Sequence, residues 1–279
     1  MTVSYGNMFD FDDARRHALT VDLMRTLRGQ PRDLLPFEEV RTKLRLRHTI
    51  DRGVEEVPLD RIVGSFGRDR DFNRLFLPRR RSLRGRWEAI RKLASGTRGF
   101  PTVELYKVGE AYFVLDGHHR VSVARFLGAP TIEASVREFV TDVAVDSEDS
   151  LEVVALRRGR ADFHEATGLD VAATEVDAYE RLLDHISVHG WYQQKAWPEA
   201  IESWRVHVYE PTLEVIRRSG VMEQFPGRTE TDLYLYAMDH LYFLRERRAD
   251  ASTDAAIREM QKVRVPWSEK WRRRIFEGK

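Results

Sequence analysis

The segment 101–136 constrains this chain more than any other. Two apolar-rich runs, 102–108 and 111–115, face each other across Gly109-Glu110, the pattern of a β-hairpin. The second run breaks at Asp116-Gly117. After His118, His119 and Arg120 a helical pattern carries Val121, Ala124 and Leu127 on one stripe and stops at Gly128. Pro130 then leads into another strand, 131–136. This order implies a small mixed α/β domain with the turn at Asp116–Arg120 in its middle. The first turn of a helix offers unpaired N–H groups and the positive end of a dipole, which suits a phosphate. Gly117 permits a tight turn and close approach, and His118, His119 and Arg120 are candidate donors. Asp116 is a candidate Mg²⁺ ligand or a partner for His118, and His118 is a candidate for proton transfer. The plainer alternative is that Asp116 and a histidine knit the turn while Arg120 pairs with an acid.

Upstream, residues 12–27 read as an amphipathic helix with Ala14, Ala18, Val21 and Met24 or Leu27 near one face. A second short helix, 36–46, turns Phe37, Val40 and Leu44 inward. Residues 57–64 read as a strand or extended entry followed by a turn. Between 68 and 98 eleven basic residues stand against three acidic ones, with Phe66, Phe72 and Phe76 in and just ahead of the run. That stretch reads as a structured loop over a site, either a solvated basic surface or a set of guanidiniums meeting phosphates of a nucleotide or of DNA. A helix over 87–94 closes it.

Beyond 141 the character changes. Residues 142–150 are acidic and polar and read as a linker, and helices follow over 175–189, 199–219, 230–247 and 253–262. Pro211 implies a kink or break, and Thr229 an N-cap. His185 and His189, one turn apart, are candidates to share a metal with Asp184 or Glu180, with packing as the alternative. The tail 267–274 is aromatic and basic, a second candidate contact for DNA. The expected division is thus a helical extension 1–50, an α+β domain 51–141 and a helical domain 142–279.

The composition excludes several classes. There is no cysteine, so disulfides, zinc–thiolate sites and thiol catalysis are out. No apolar run approaches the roughly 20 residues that span a bilayer, and no basic-then-apolar leader opens the sequence; a cytoplasmic location is the expectation.

The segments VPLDRIVGS, FPTVELYKVGEAYFVLDGHHR and VSVARFLG resemble the ParB N-terminal/sulfiredoxin-like superfamily, whose members include ParB partition proteins, sulfiredoxins and free-serine kinases. The resemblance covers roughly 57–139 and implies a small mixed-sheet fold that grips nucleotide phosphates through the loop equivalent to Asp116–Arg120. The Asp-Gly-His-x-Arg form of the free-serine kinases is the nearest. It implies ATP, ADP or CTP with Mg²⁺ as ligand, and Ser65, Arg68, Asp116, Gly117, His118, His119 and Arg120 as contacts. His118 stands where sulfiredoxins keep a cysteine, which removes their chemistry. The base glutamate of the serine kinases is missing from 64–71, so phosphotransfer would need Asp69 or Asp71 instead. The resemblance also implies a nucleotide-controlled switch on DNA or a partner, with a homodimer among the assemblies it allows, although no helix-turn-helix follows. A nuclease label occurs in the superfamily, but no residue pattern here supports phosphodiester cleavage. The helical half resembles an uncharacterised bacterial domain, which implies no chemistry.

Overall fold

The computed structural model describes residues 10–94 and 100–262, so the tail 267–274 lies outside the described residues. The chain is α+β and then α, and divides into two compact units at Arg158/Gly159.

In the first unit, α1 (Phe11–Leu27) starts at Asp10, whose carboxylate accepts from the N–H groups of Asp12 and Asp13. Phe11, Ala14 and Ala18 are buried, whereas Met24 and Leu27, expected inward, are exposed. The helix outruns the core it covers, and only its first half packs. There follow β1 (Leu35–Pro36), α2 (Phe37–Lys43), β2 (Thr49–Pro58), β3 (Ile62–Ser65), α3 (Arg84–Ala94), β4 (Val103–Val108), β5 (Ala111–Asp116), α4 (His118–Phe126) and β6 (Thr131–Phe139). One mixed sheet results, in the order β1-β3-β5-β4-β6-β2. The hairpin β4/β5 is antiparallel, β6 runs parallel to β4, and β3 runs parallel to β5 with Ser65 opposite Val114. Tyr112, Phe113 and Val114 are all buried, because β5 is central and both faces are covered. Trp87, Val121, Val123 and Ala124 pack on one face with Phe11, Phe72 and Phe76. The rings of Phe37, Tyr106, Phe113 and Phe139 cluster on the other. Leu127, expected on the buried stripe of α4, is exposed, and Val123 takes the inward place.

The residues ahead of β2 are therefore part of this unit: β1 adds to the sheet edge, and Phe11 meets Trp87 edge-on at 5.7 Å. The polar segment 142–150 is likewise fastened to it. Val143 and Val145 are buried, Glu110 N–H donates to Val145 O at 2.8 Å, and Arg157 donates to Ala144 O. Arg74 is the main fastening. Its buried guanidinium donates to the carbonyls of Asp33 (3.3 Å), Ser147 (2.8 Å) and Asp149 (2.6 Å).

α5 (Leu151–Thr167) runs across the division. The second unit continues with α6 (Ala178–Gln193), α7 (Trp197–Trp204), a π-helical turn (Arg205–Tyr209), α8 (Glu210–Ser219), α9 (Glu230–Arg247) and α10 (Thr253–Lys262). Pro211 lacks an N–H, and its ring would crowd the carbonyl of His207 four residues back. The chain answers with the wide turn, in which Glu210 N–H reaches Arg205 O, rather than with a break. Thr229 caps α9 as its spacing to Asp232 implies, each side chain accepting from the other's N–H.

Replacing Arg74 by leucine strands three carbonyls in two segments and should lower the stability of the first unit by roughly 2–4 kcal/mol. Denaturant unfolding followed by far-ultraviolet circular dichroism would measure this, and an unchanged midpoint would refute the fastening role.

Candidate functional site

Because β3 and β5 are parallel neighbours, both leave the sheet at the same edge, and that brings Ser65 to the start of α4. Phe66 N–H donates to Val114 O at 2.9 Å as the chain departs. Gly117 caps α4 in the left-handed region, with φ +100°. A Cβ there would lie 2.6 Å from Val103 Cγ1, so a side chain is excluded on two counts. No side chain caps the helix, and its first N–H groups keep their donating capacity.

His118 and His119 open the helix and are 7% and 6% exposed. His118 Nε2 lies 2.8 Å from Ser65 Oγ, which also accepts from Arg68 N–H at 3.2 Å. A hydroxyl oxygen has two lone pairs and one proton, so Ser65 engages Arg68 N–H and His118 Nε2 together, and the imidazole edge at Nε2 is occupied in either tautomer. Phe72 stacks against His118 at 6.4 Å and meets His119 edge-on at 5.6 Å. His119 Nδ1 is buried and has no hydrogen-bond partner among the described residues. Burial, with Arg68 beside it, pushes His118 down to about 4; burial, with Arg68 and Arg86 nearby, does the same to His119. Both rings are neutral at pH 7. They offer hydrogen bonds to a ligand but no charge.

Asp116 and Arg120 are committed to each other. They form an ion pair, and Arg120 also donates to Pro101 O (3.0 Å) and Thr102 O (2.6 Å). This clamp ties the turn to the entry of β4, and the acid that Arg120 meets is Asp116 itself, with no histidine bonded to that carboxylate among the described residues. For a Mg²⁺ ion the turn offers the single carboxylate of Asp116, and no cluster of three or more metal-ligating side chains occurs among the described residues. Asp71 pairs with Arg80 at 3.3 Å and with Arg68 at 3.9 Å. Asp69, half-buried, makes no ion pair among the described residues.

The arginine-rich stretch is solvated only in part. Phe72 and Phe76 are fully buried and draw the loop into the core, Arg74 goes with them, and Arg79 pairs with Asp22 and Asp33. Arg84 pairs with Asp12 and Glu88. Arg68, Arg70, Arg80, Arg81, Arg86 and Lys92 remain exposed. Sequence reasoning missed the Ser65–His118 bond and the carbonyl clamp on Arg120. Their partners are far apart in the chain and carry no local signal.

In the second unit, His185 and His189 do not assemble a metal site among the described residues. His185 Nδ1 is 3.2 Å from Tyr234 Oη, and His189 Nε2 is 2.9 Å from Ser203 Oγ.

No known protein family, curated protein or solved structure matches the chain.

The neutral histidines set a pH window. In the unfolded chain they titrate near 6.5 and in the fold near 4, so between these values the unfolded state binds more protons. Their contribution to stability is complete above pH 6.5 and is lost as pH falls through 4. Thermal melts at pH 7 and 4.5 should show a smaller acid loss in a His118→Gln/His119→Gln variant than in the unaltered protein; equal losses would sink the argument.

Proposed function

We propose that the first unit binds the phosphates of a nucleotide, ATP, ADP or CTP, at the turn between β5 and α4. One observation carries the reading: the first turn of α4 is uncapped because Gly117 leaves no room for a side chain, and beside it lies a buried imidazole, His119, whose Nδ1 has no partner among the described residues. Backbone N–H groups at such a turn, with Arg68 and Arg86 contributing positive field, match a phosphate chain. The resemblance of Asp116–Arg120 to nucleotide-gripping loops supplies the ligand class, and a cytoplasmic location accords with it. Mg²⁺ would arrive on the nucleotide, held mainly by its phosphates, with Asp116 as the carboxylate of the turn itself.

Binding is better supported than phosphate transfer. Asp71 is tied to two arginines, and His118 Nε2 is taken by Ser65. A DNA-associated role has less to draw on, since Arg74, Arg79, Arg80 and Arg84 are engaged within the unit.

Adding Mg²⁺ with each nucleotide should raise the melting temperature for at least one of ATP, ADP and CTP. Arg68→Ala should weaken that binding about tenfold, the loss of one charge-assisted hydrogen bond. Absence of a shift with every nucleotide, or a shift that Arg68→Ala leaves intact, would reject the site.

A further inference from the structure

The second unit contains a cavity of about 670 Å³, within the size range of small-molecule sites. Its wall comes from α6, the last residue of α7, the π-helical turn, α8, α9 and the start of α10. Apolar and aromatic side chains dominate one part, with Val188, Tyr192, Trp204, Val208, Met238 and Leu241. The polar part is built by two histidines of α6, one helical turn apart.

Each imidazole is held by a hydroxyl, and each hydroxyl by a group that can only donate. Trp204 Nε1–H donates to Tyr234 Oη at 2.9 Å, and the same oxygen holds His185 Nδ1 at 3.2 Å. Lys195 Nζ donates to Ser203 Oγ at 2.8 Å, and the same oxygen holds His189 Nε2 at 2.9 Å. The other nitrogen of each ring, His185 Nε2 and His189 Nδ1, has no hydrogen-bond partner among the described residues, and both rings line the cavity, each offering an N–H or a lone pair according to its tautomer. Burial lowers the pKa of both histidines, His185 to about 4, so both rings are uncharged at neutral pH. Facing them are Asp184, on α6 itself, Asp254 from α10, and Arg245 from α9, a mixture that does not favour an anion; His207 comes from the π turn.

We infer that this cavity binds a neutral, flat heterocycle that hydrogen-bonds to the free ring nitrogens of His185 and His189 and packs against the apolar lining. A free nucleoside or a flavin-type ring has this chemistry. The carboxylates at Asp184 and Asp254 suit an amino group on such a ring.

The test is calorimetric titration of the full chain with adenosine, inosine and riboflavin, with AMP and benzoate as charged comparators. Saturable binding of at least one neutral compound is expected, weakened about tenfold or more in His185→Phe and His189→Leu. Val188→Trp, at an exposed position on the cavity wall, should block binding without disturbing the fold. Arg68→Ala, in the other unit, should leave it unchanged, which separates this site from the phosphate site proposed above. The inference is overturned if no neutral compound saturates, if the charged comparators bind more tightly, or if Val188→Trp binds as well as the unaltered chain.

Discussion

A guanidinium taken out of water keeps its charge, and something fixed has to take over the role of the solvent. Burial pushes Arg74 down only to about 10, so it is a cation at any physiological pH. Its hydrogen bonds go to backbone carbonyls, which belong to the chain ahead of the sheet and the chain after it, while the carboxylates of Glu148 and Asp149 favour the charge from nearby without pairing with it. Arg74 Nε stays buried with no partner among the described residues, so the arrangement is not fully satisfied. Three separate segments must be in place together for the charge to be tolerated at all. The same loop carries Phe72 onto His118 and His119, and the geometry of the candidate site therefore depends on a residue that never touches it.

Both units use one device to set imidazoles. Ser65, Ser203 and Tyr234 each accept from a group that can only donate, and each holds one nitrogen of a histidine through the same oxygen. The outcome is a neutral ring fixed in orientation, with one nitrogen engaged and no carboxylate involved. Such a ring presents direction without charge. At the first turn of α4 the attraction for an anion then comes from backbone N–H groups and the field of exposed arginines, and the rings contribute shape and orientation.

The hairpin β4/β5, the turn at Asp116-Gly117 and the helix after it were legible because their signals are local: alternation, a glycine break and helical spacing. The capping of α9 by Thr229 was legible for the same reason. What was not legible depends on distant partners. Exposed Met24 and Leu27 obey helical periodicity, but nothing in their neighbourhood says where the core ends. Composition marks residues 68–86 as a basic surface, whereas two phenylalanines and the carbonyls of residues far along the chain pull part of the loop inside. Residues 142–150 look like a linker by polarity, yet Val143 and Val145 were enough, with backbone hydrogen bonds, to bind them down. Arg120 read as a phosphate donor because its carbonyl partners, Pro101 and Thr102, lie on another strand's approach.

The π-helical turn at Arg205–Tyr209 has a consequence for how the second unit tolerates change in chain length. A π turn holds one residue more than the α-helical turn it replaces, so the span from Trp197 to Ser219 is a helix that has absorbed a single supernumerary residue. Removing one residue inside the π turn would restore regular winding and leave α8 close to its present phase, because residues that lie on one face five apart in the wide turn lie on one face four apart in an α-helix; Pro211 would then crowd the carbonyl four residues back. A deletion inside α8 has no surplus residue to take up, and would rotate what lies beyond it by about 100°, so that Ile216, now buried, would swing toward solvent. The same loss of one residue should therefore be borne in the wide turn and not in the regular helix that follows it.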